Sequence, residues 1–520
     1  MKRIFLSLAS VLGVLALGGL ALLYPRETVP APPESVPLTA FQEIDVPFTH
    51  TWTRRETTYP FLGAAVLDVE GDGTYEIFVG GAEGQDDVLL AYQDGQLVDR
   101  MAGTGLSSTD ATYGVTAIDL DADGDTDLAI ARDSGVTIYT NEGGVFAATP
   151  LDVELDESAV PFSVAVSDFD ADGDADLYVS AFVDFAEFRS ATFNDPSHAK
   201  LNVLLRRDST GYVDVTDQAG VAGLQNTFFS TFVDLDGDRR QDLVLAQNTG
   251  EVEIYQNASD GTFERVSLRT GFGFWMSLSV GDVDADGDPD LFFSNSGNSV
   301  PDFLLTGDLR GHQPLATDWL LLINEGNFRF TDASLAYGLR DFAFAWGGGF
   351  EDVNLDGQLD LLVAQNYLKL PNFRLRRVPG KVLVQSDGRF FHADPLGLNN
   401  EYYGHAPVFA DLNGDRRPDV LWLNMDGPAR AFLNQSETSA IEVSLPDDLA
   451  SLGARVRVET PAGPSYTQFA LAGNGLMTDA SPSFFFAMPN QEPARVEIEY
   501  LDGRVVTVDS VQAGQRVSVE

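Results

Sequence analysis

Residues 119–127 read Asp-Leu-Asp-Ala-Asp-Gly-Asp-Thr-Asp, with carboxylates at positions 1, 3, 5 and 9 of the nonapeptide and a glycine at position 6. So dense a charge repels itself unless a cation neutralises it. Hard oxygen ligands gathered around a tight Asp-Gly turn suit Ca²⁺ best. The stretch recurs at 168–176 and 282–290, and looser copies begin at Asp68, Asp234, Asp352 and Asp411, seven in all. Recurrence at intervals of roughly 50 residues, some longer, is the signature of a propeller or another repeat array.

Each copy sits in a unit of four short apolar runs. In the second unit, strands are predicted at Tyr113–Ile118, Leu128–Ala131, Val136–Tyr139 and Gly144–Ala148, with Gly, Asn and Asp between them. The runs after the acidic loops are apolar on both faces, as expected of sheets packed between neighbouring sheets. An EF-hand would need a bidentate Glu at position 12 and flanking helices. Position 12 is Val79, Ile130, Val179, Leu245, Phe293, Val363 and Trp422, all apolar, which excludes it.

At the N-terminus, Lys2 and Arg3 precede an apolar run from Ile4 to Tyr24, about the length that crosses a bilayer. The exit lacks a clear Ala-x-Ala, which favours an uncleaved membrane anchor over a cleaved signal peptide. The two positive charges keep the N-terminus cytoplasmic, so everything after Tyr24 is expected to be exported, to the periplasm or cell surface, anchored or secreted. Residues 25–37 are rich in Pro and read as a stiff, exposed spacer. There is no Cys, hence no disulfide, and any cross-linking of loops falls to metal. The net charge of −47 argues against nucleic acid and anionic lipid as partners. Lysine is nearly absent, with Lys2, Lys200, Lys369 and Lys381 the full set.

These copies resemble the FG-GAP/VCBS repeats of integrin α-subunit propellers and related bacterial exported proteins. The phrases at 328–339, 345–350 (Ala-Trp-Gly-Gly-Gly-Phe) and 352–364 are similar to the cartilage acidic protein 1 group. That group joins such repeats to a C-terminal ASPIC/UnbV domain. Gly453-Ala-Arg-Val-Arg-Val, Ala472-Gly-Asn-Gly-Leu and Val496-Glu-Ile-Glu-Tyr resemble elements of that domain, although Phe485-Phe-Ala-Met-Pro and Tyr500-Leu-Asp-Gly depart from its usual motifs. The resemblance implies an all-β, integrin α-like seven-bladed β-propeller over residues 38–436, followed by a small β-rich domain over 439–520.

It also implies up to seven Ca²⁺ sites, with side-chain ligands from positions 1, 3, 5 and 9 and a backbone carbonyl from position 7. The complete copies supply Asp119, Asp121, Asp123 and Asp127; Asp168, Asp170, Asp172 and Asp176; and Asp282, Asp284, Asp286 and Asp290. The first copy supplies Asp68, Glu70, Asp72 and Glu76, and the fourth Asp234, Asp236, Asp238 and Asp242. The sixth and seventh place a neutral Asn at position 3: Asp352, Asn354, Asp356 and Asp360, then Asp411, Asn413, Asp415 and Asp419. In copies four and seven Arg239 and Arg416 stand where Gly is expected, and Gly237 and Gly414 have moved to position 4.

In a four-stranded meander the acidic loops, between first and second strands, all share one face. The insertions at 181–199, 296–318 and 366–379 follow second strands, and 395–405 follows a fourth strand, so all are expected on the opposite face. They carry His198, His312, His405, Tyr402, Tyr403, Phe185, Phe188, Arg374, Arg376 and Arg377. Loops on a rigid scaffold are where binding usually resides. A binding or adhesion module for a protein or glycan is the favoured reading. An enzyme on extracellular polysaccharide (a lyase or glycosidase) and an envelope scaffold are the alternatives. No Ser/His/Asp or metal-His motif supports the enzyme. Finally, the seventh unit lacks a fourth strand, and residues 39–46 are expected to supply it and close the ring.

Overall fold

The computed structural model describes residues 30–52, 57–365, 378–393, 396–461, 463–479 and 481–519. The apolar run and Arg374, Arg376 and Arg377 lie outside these. Alternating turn chemistry and apolar runs give antiparallel meanders. In the second unit Thr112–Ile118, Asp127–Arg132, Gly135–Asn141 and Phe146–Pro150 pair in that order, with Ile118 opposite Asp127, Leu128 opposite Tyr139 and Phe146 opposite Asn141. Seven such four-stranded meanders follow one another among the described residues, one for each acidic loop, the first and fourth each gaining a fifth strand.

Burial grades across each sheet. The first two strands are wholly buried, whereas Phe146–Pro150 keeps only Phe146 inside. Neighbouring first strands lie side by side, as blades do around a propeller axis. Thr116 donates from Oγ1 to the Val164 carbonyl at 2.5 Å, and Ser279 does the same to Gly348 at 2.6 Å. The approach is closest at Gly114, where a Cβ would lie 2.4 Å from the Phe162 carbonyl oxygen. That position admits no side chain.

Closure occurs as the sequence suggests. Phe41–Ile44 pairs antiparallel with Arg430–Asn434, Phe41 opposite Asn434 and Ile44 opposite Ala431, and completes the seventh sheet. Of the described spacer residues, Pro30 accepts a hydrogen bond from the His392 amide at 3.1 Å, and Val36 is buried.

The C-terminal residues build two further sheets. One joins Ala440–Ser444 to Ser483–Ala487 and, in parallel, to Arg516–Ser518. The other runs Gly463–Phe469, Arg455–Thr460, Ala494–Glu499, Val505–Val511. Val456, Val458, Tyr466, Val496 and Ile498 form its core, continuous with Phe292, Leu361 and Val363 of the fifth and sixth propeller sheets.

Both ends of the propeller axis are filled. Where the first strands begin, Tyr59, Phe61, Phe162, Phe182, Phe228 and Trp346 converge, with ring centroids 4.7 Å apart for Phe162–Phe182 and 5.2 Å for Phe61–Trp346. From the acidic-loop side, residues 472–479 enter. Gly475 exchanges hydrogen bonds with Leu278, Thr231 donates to the Gly473 carbonyl, and Val280 N donates to Asn474 Oδ1. Asp479 accepts from Ala117 N at 2.8 Å and Gly473 N at 2.7 Å, and Thr478–Asp479 runs parallel to Ala64–Ala65. Leu476 and Met477 are buried in the same cluster as the aromatic rings.

Candidate metal loops and the capped face

Every acidic loop makes the same turn. Its backbone is left-handed at positions 4 and 6, as at Ala122 (φ 64°) and Gly124 (φ 95°). Glycine relieves that conformation at one position or the other. In copies four and seven, Gly237 and Gly414 take position 4 while Arg239 (φ 69°) and Arg416 (φ 65°) hold the left-handed position 6.

The position-1 carboxylate closes the turn from inside. Asp119 accepts from Ala122 N and Gly124 N, and Asp168 from Asp172 N and Gly173 N. The position-9 carboxylate spans two strands. Asp127 Oδ2 accepts from Leu120 N at 2.9 Å and its Oδ1 from Asn141 N at 2.7 Å. Asp242 and Asp290 repeat this with Leu235 and Asn257, and with Val283 and Asn324.

In four copies one oxygen each from positions 1, 3 and 9 converges within 4.8 Å: Asp119, Asp121 and Asp127; Asp168, Asp170 and Asp176; Asp234, Asp236 and Asp242; Asp282, Asp284 and Asp290. Their position-5 carboxylates Asp123, Asp172, Asp238 and Asp286 stand outside these sets and accept from the amide two residues on. Copies one, six and seven form no such trio of acidic groups among the described residues. In copies six and seven the position-3 Asn354 and Asn413 donate their amides to Asp356 and Asp415.

The donor set fits a hard cation. Buried Asp282 Oδ1 and Asp360 Oδ2, and part-buried Asp170 Oδ1, have no hydrogen-bond partner among the described residues. Burial drives the position-9 acids upward, to about 7 for Asp127 and about 8 for Asp176, Asp242 and Asp290. A positive charge beside a carboxylate so placed favours its ionised form. Several oxygens per site at a turn suit Ca²⁺ rather than a nitrogen-seeking metal.

Two features were invisible in the spacing of the loops. The first is a latch between sheets. The residue whose amide binds the position-9 carboxylate reaches with its side chain to the position-2 carbonyl of the preceding loop. Asn141 binds Val69, Asn257 Phe169, Asn324 Leu235, Gln385 Val283 and Asn434 Val353, all at 2.7–3.0 Å, and Arg207 binds Leu120. An Asn recurring at the end of third strands was the available signal. The second is cationic. Arg455 places Nη2 3.3 Å from Asp234 Oδ2 and Arg240 pairs with Asp238, while Arg417, whose charge beside the seventh loop is evident from the sequence, pairs with Asp415. Copy four therefore carries cations on its ligand carboxylates as copy seven does.

Arg455 is part of a larger arrangement in which the C-terminal residues pack along the acidic-loop face. Thr467 N donates to Asp282 Oδ2 at 2.7 Å, Asp119 N to the Asp447 carbonyl at 2.8 Å, Arg516 to Gly73 O and Arg416 to Gly514 O. The opposite face carries the insertions, and there the structure corrects the expected display. His198 and His405 are buried, and Phe185 packs on the aromatic cluster. His312 and Tyr402 are exposed and Tyr403 is half-buried. The 181–199 insertion leans on 296–318, with Asp308 accepting from Phe193 N and Asn194 N.

Comparison with known proteins follows this geometry. The FG-GAP-like repeat family matches residues 68–130, 119–179 and 234–293. Human Cartilage acidic protein 1 is 23% identical over 508 residues, spanning 88% of this chain and 71% of that protein. Among solved structures, the rhamnogalacturonan lyase YesW is 14% identical with a TM-score of 0.41, covering 76% of this chain and 75% of that one. YCF48 bound to D1 peptide is 10% identical with a TM-score of 0.42, covering 78% and 99%. An Agrocybe aegerita lectin is 17% identical with a TM-score of 0.37, covering 71% and 93%. The chain is an all-β propeller that carries FG-GAP-like repeats and is similar to Cartilage acidic protein 1 along most of its length.

Proposed function

We propose that this is an exported, calcium-binding propeller that presents its insertion-loop face to a protein or glycan as a recognition module. The observation that carries the reading is the convergence of three carboxylates within 4.8 Å in four successive loops, two of them with a ligand oxygen that nothing else satisfies. Ca²⁺ bound there would fix each turn and, through the latch, the seam to the preceding sheet. The protein's own C-terminal residues pack along the acidic-loop face, where loop tips such as Asp121–Gly124 stay exposed, and recognition is assigned to the insertion face. Titration of chelator-treated protein with Ca²⁺ by calorimetry, followed by glycan and surface-protein binding screens with and without EDTA, tests both halves. Absence of Ca²⁺ uptake overturns the metal reading, and absence of any partner that competes with insertion-loop variants overturns recognition.

A further inference from the structure

The 181–199 insertion, with Ser158 and Lys200 beside it, lines a small niche of about 120 Å³ open to solvent. Its lining is Ser158, Glu187, Arg189, Thr192, Asp195, Ser197, His198 and Lys200. Two of these are cations in a chain of net charge −47. Lys200 is 7% exposed, and its ammonium donates to the backbone carbonyl of Glu157 at 2.8 Å. It has no carboxylate partner among the described residues. Arg189 is exposed, and among the described residues its guanidinium likewise has no ion pair. An ammonium held by one neutral oxygen keeps donors for an arriving anion.

The niche is built rather than incidental. His198 is buried, and its Nε2 accepts from the Arg189 backbone amide at 3.1 Å. Nδ1 lies 2.8 Å from Asn226 Nδ2, which seats the other side of the ring. The neutral imidazole thus pins the backbone at Arg189. Burial lowers its pKa and Lys200 and Arg189 lower it further, although Asp195 opposes them. Asp195 is itself engaged, accepting from Ser197 N and Oγ. Glu187, Thr192 and Ser158 remain as hydroxyl-binding groups, and Phe188, its ring centroid 5.7 Å from that of His198 and 37% exposed, stands at the rim as an apolar platform.

We propose that this niche binds one carboxylated sugar unit, a uronate, with the carboxylate between Arg189 and Lys200, the ring hydroxyls on Glu187, Thr192 and Ser158, and an apolar ring face on Phe188. Arg holds a carboxylate with paired donors, and Lys adds a point charge. The acidic remainder of the protein repels a long polyanion, but at physiological ionic strength that field is screened beyond ~8 Å, so a short oligomer is the fitting ligand. The inference rests on the recognition reading above and gives it a ligand class.

The test is calorimetric or NMR titration of the Ca²⁺-loaded full chain with trigalacturonate, galactotriose and a sulfated galactotriose at 150 mM salt. Trigalacturonate should bind, and galactotriose should not. The exposed Arg189→Gln should weaken trigalacturonate at least tenfold without lowering the melting temperature, and Lys200→Met should do the same where it folds. Equal binding by Arg189→Gln, equal binding of galactotriose, preference for the sulfated sugar, or no uptake of trigalacturonate each overturns the proposal. The recognition reading itself fails only if Ca²⁺ is not taken up or if no partner at all binds the insertion face.

Discussion

The side-chain amide of Asn141 donates to the carbonyl of Val69 at 3.0 Å, from the second sheet into the acidic loop of the first. Its backbone amide meanwhile binds Asp127, the position-9 carboxylate of its own loop. One residue thus couples a candidate metal ligand to the neighbouring sheet, and the coupling repeats from the second sheet to the seventh.

Breaking one latch should loosen a seam. Asn257 is buried and donates to Phe169 at 2.8 Å. Asn257→Ala leaves that carbonyl without its donor and should cost about 1–3 kcal/mol. Denaturant unfolding checks this, and an unchanged midpoint would show that the latch contributes nothing.

Chelation should lower the melting temperature. With a dissociation constant of ~0.1 mM and about 1 mM free ion, each site contributes roughly 1.4 kcal/mol. At saturating Ca²⁺, Asp121→Ala should cost more than Asp415→Ala, because Asp121 belongs to a converging set whereas Asp415 is paired with Arg417 at 3.0 Å. A melting temperature indifferent to EDTA would sink the calcium reading.

Arg455 competes with a metal at the fourth loop. Arg455→Gln removes the guanidinium 3.3 Å from Asp234 Oδ2 and should tighten Ca²⁺ binding there several-fold. Terbium luminescence or calorimetry reports it. Unaltered affinity would mean that the arginine serves only to seat the C-terminal sheet.

Acid should attack the aromatic end of the axis. Burial holds His50 near pKa 4 and His405 near 3, His50 lowering the latter further and Asp426 partly offsetting the former. Both folded values lie below the unfolded value near 6.5, so the unfolded chain binds more protons between them. Stability is full above about pH 6.5 and is lost as pH falls toward 4, by at most about 3 kcal/mol for His50. Neither ring nitrogen of His405 has a partner among the described residues. His405→Phe should therefore raise the melting temperature and move acid unfolding to lower pH. Fluorescence-monitored acid titration decides, and an unmoved midpoint would refute the assignment.

The repeat, the strand order and the closing segment were legible because each rests on local chemistry. Acidic turns and apolar runs recur in register, and Thr39–Val46 matches other fourth strands. The long-range features were not. Nothing around Arg455 marks it as a neighbour of Asp234, 221 residues earlier. The Ala472-Gly-Asn-Gly-Leu phrase was visible as a motif, but its place inside the axis depends on hydrogen bonds to Leu278, Val280 and Thr231 that only the folded ring brings together. His198 and His405 could be read only as structural or surface groups, because loop position says little about the depth to which a loop folds back.

The pairing of Phe41–Ile44 with Arg430–Asn434 sets the timetable of folding. Six of the four-stranded meanders are contiguous in the chain and can form as it lengthens, but the seventh joins segments nearly four hundred residues apart. Loop closure over that distance is slow and follows the local meanders. Until then Arg430–Asn434 is an open edge able to recruit a strand from another molecule. The nascent protein is most vulnerable to misassembly in the interval just before its oldest strand meets one of its newest.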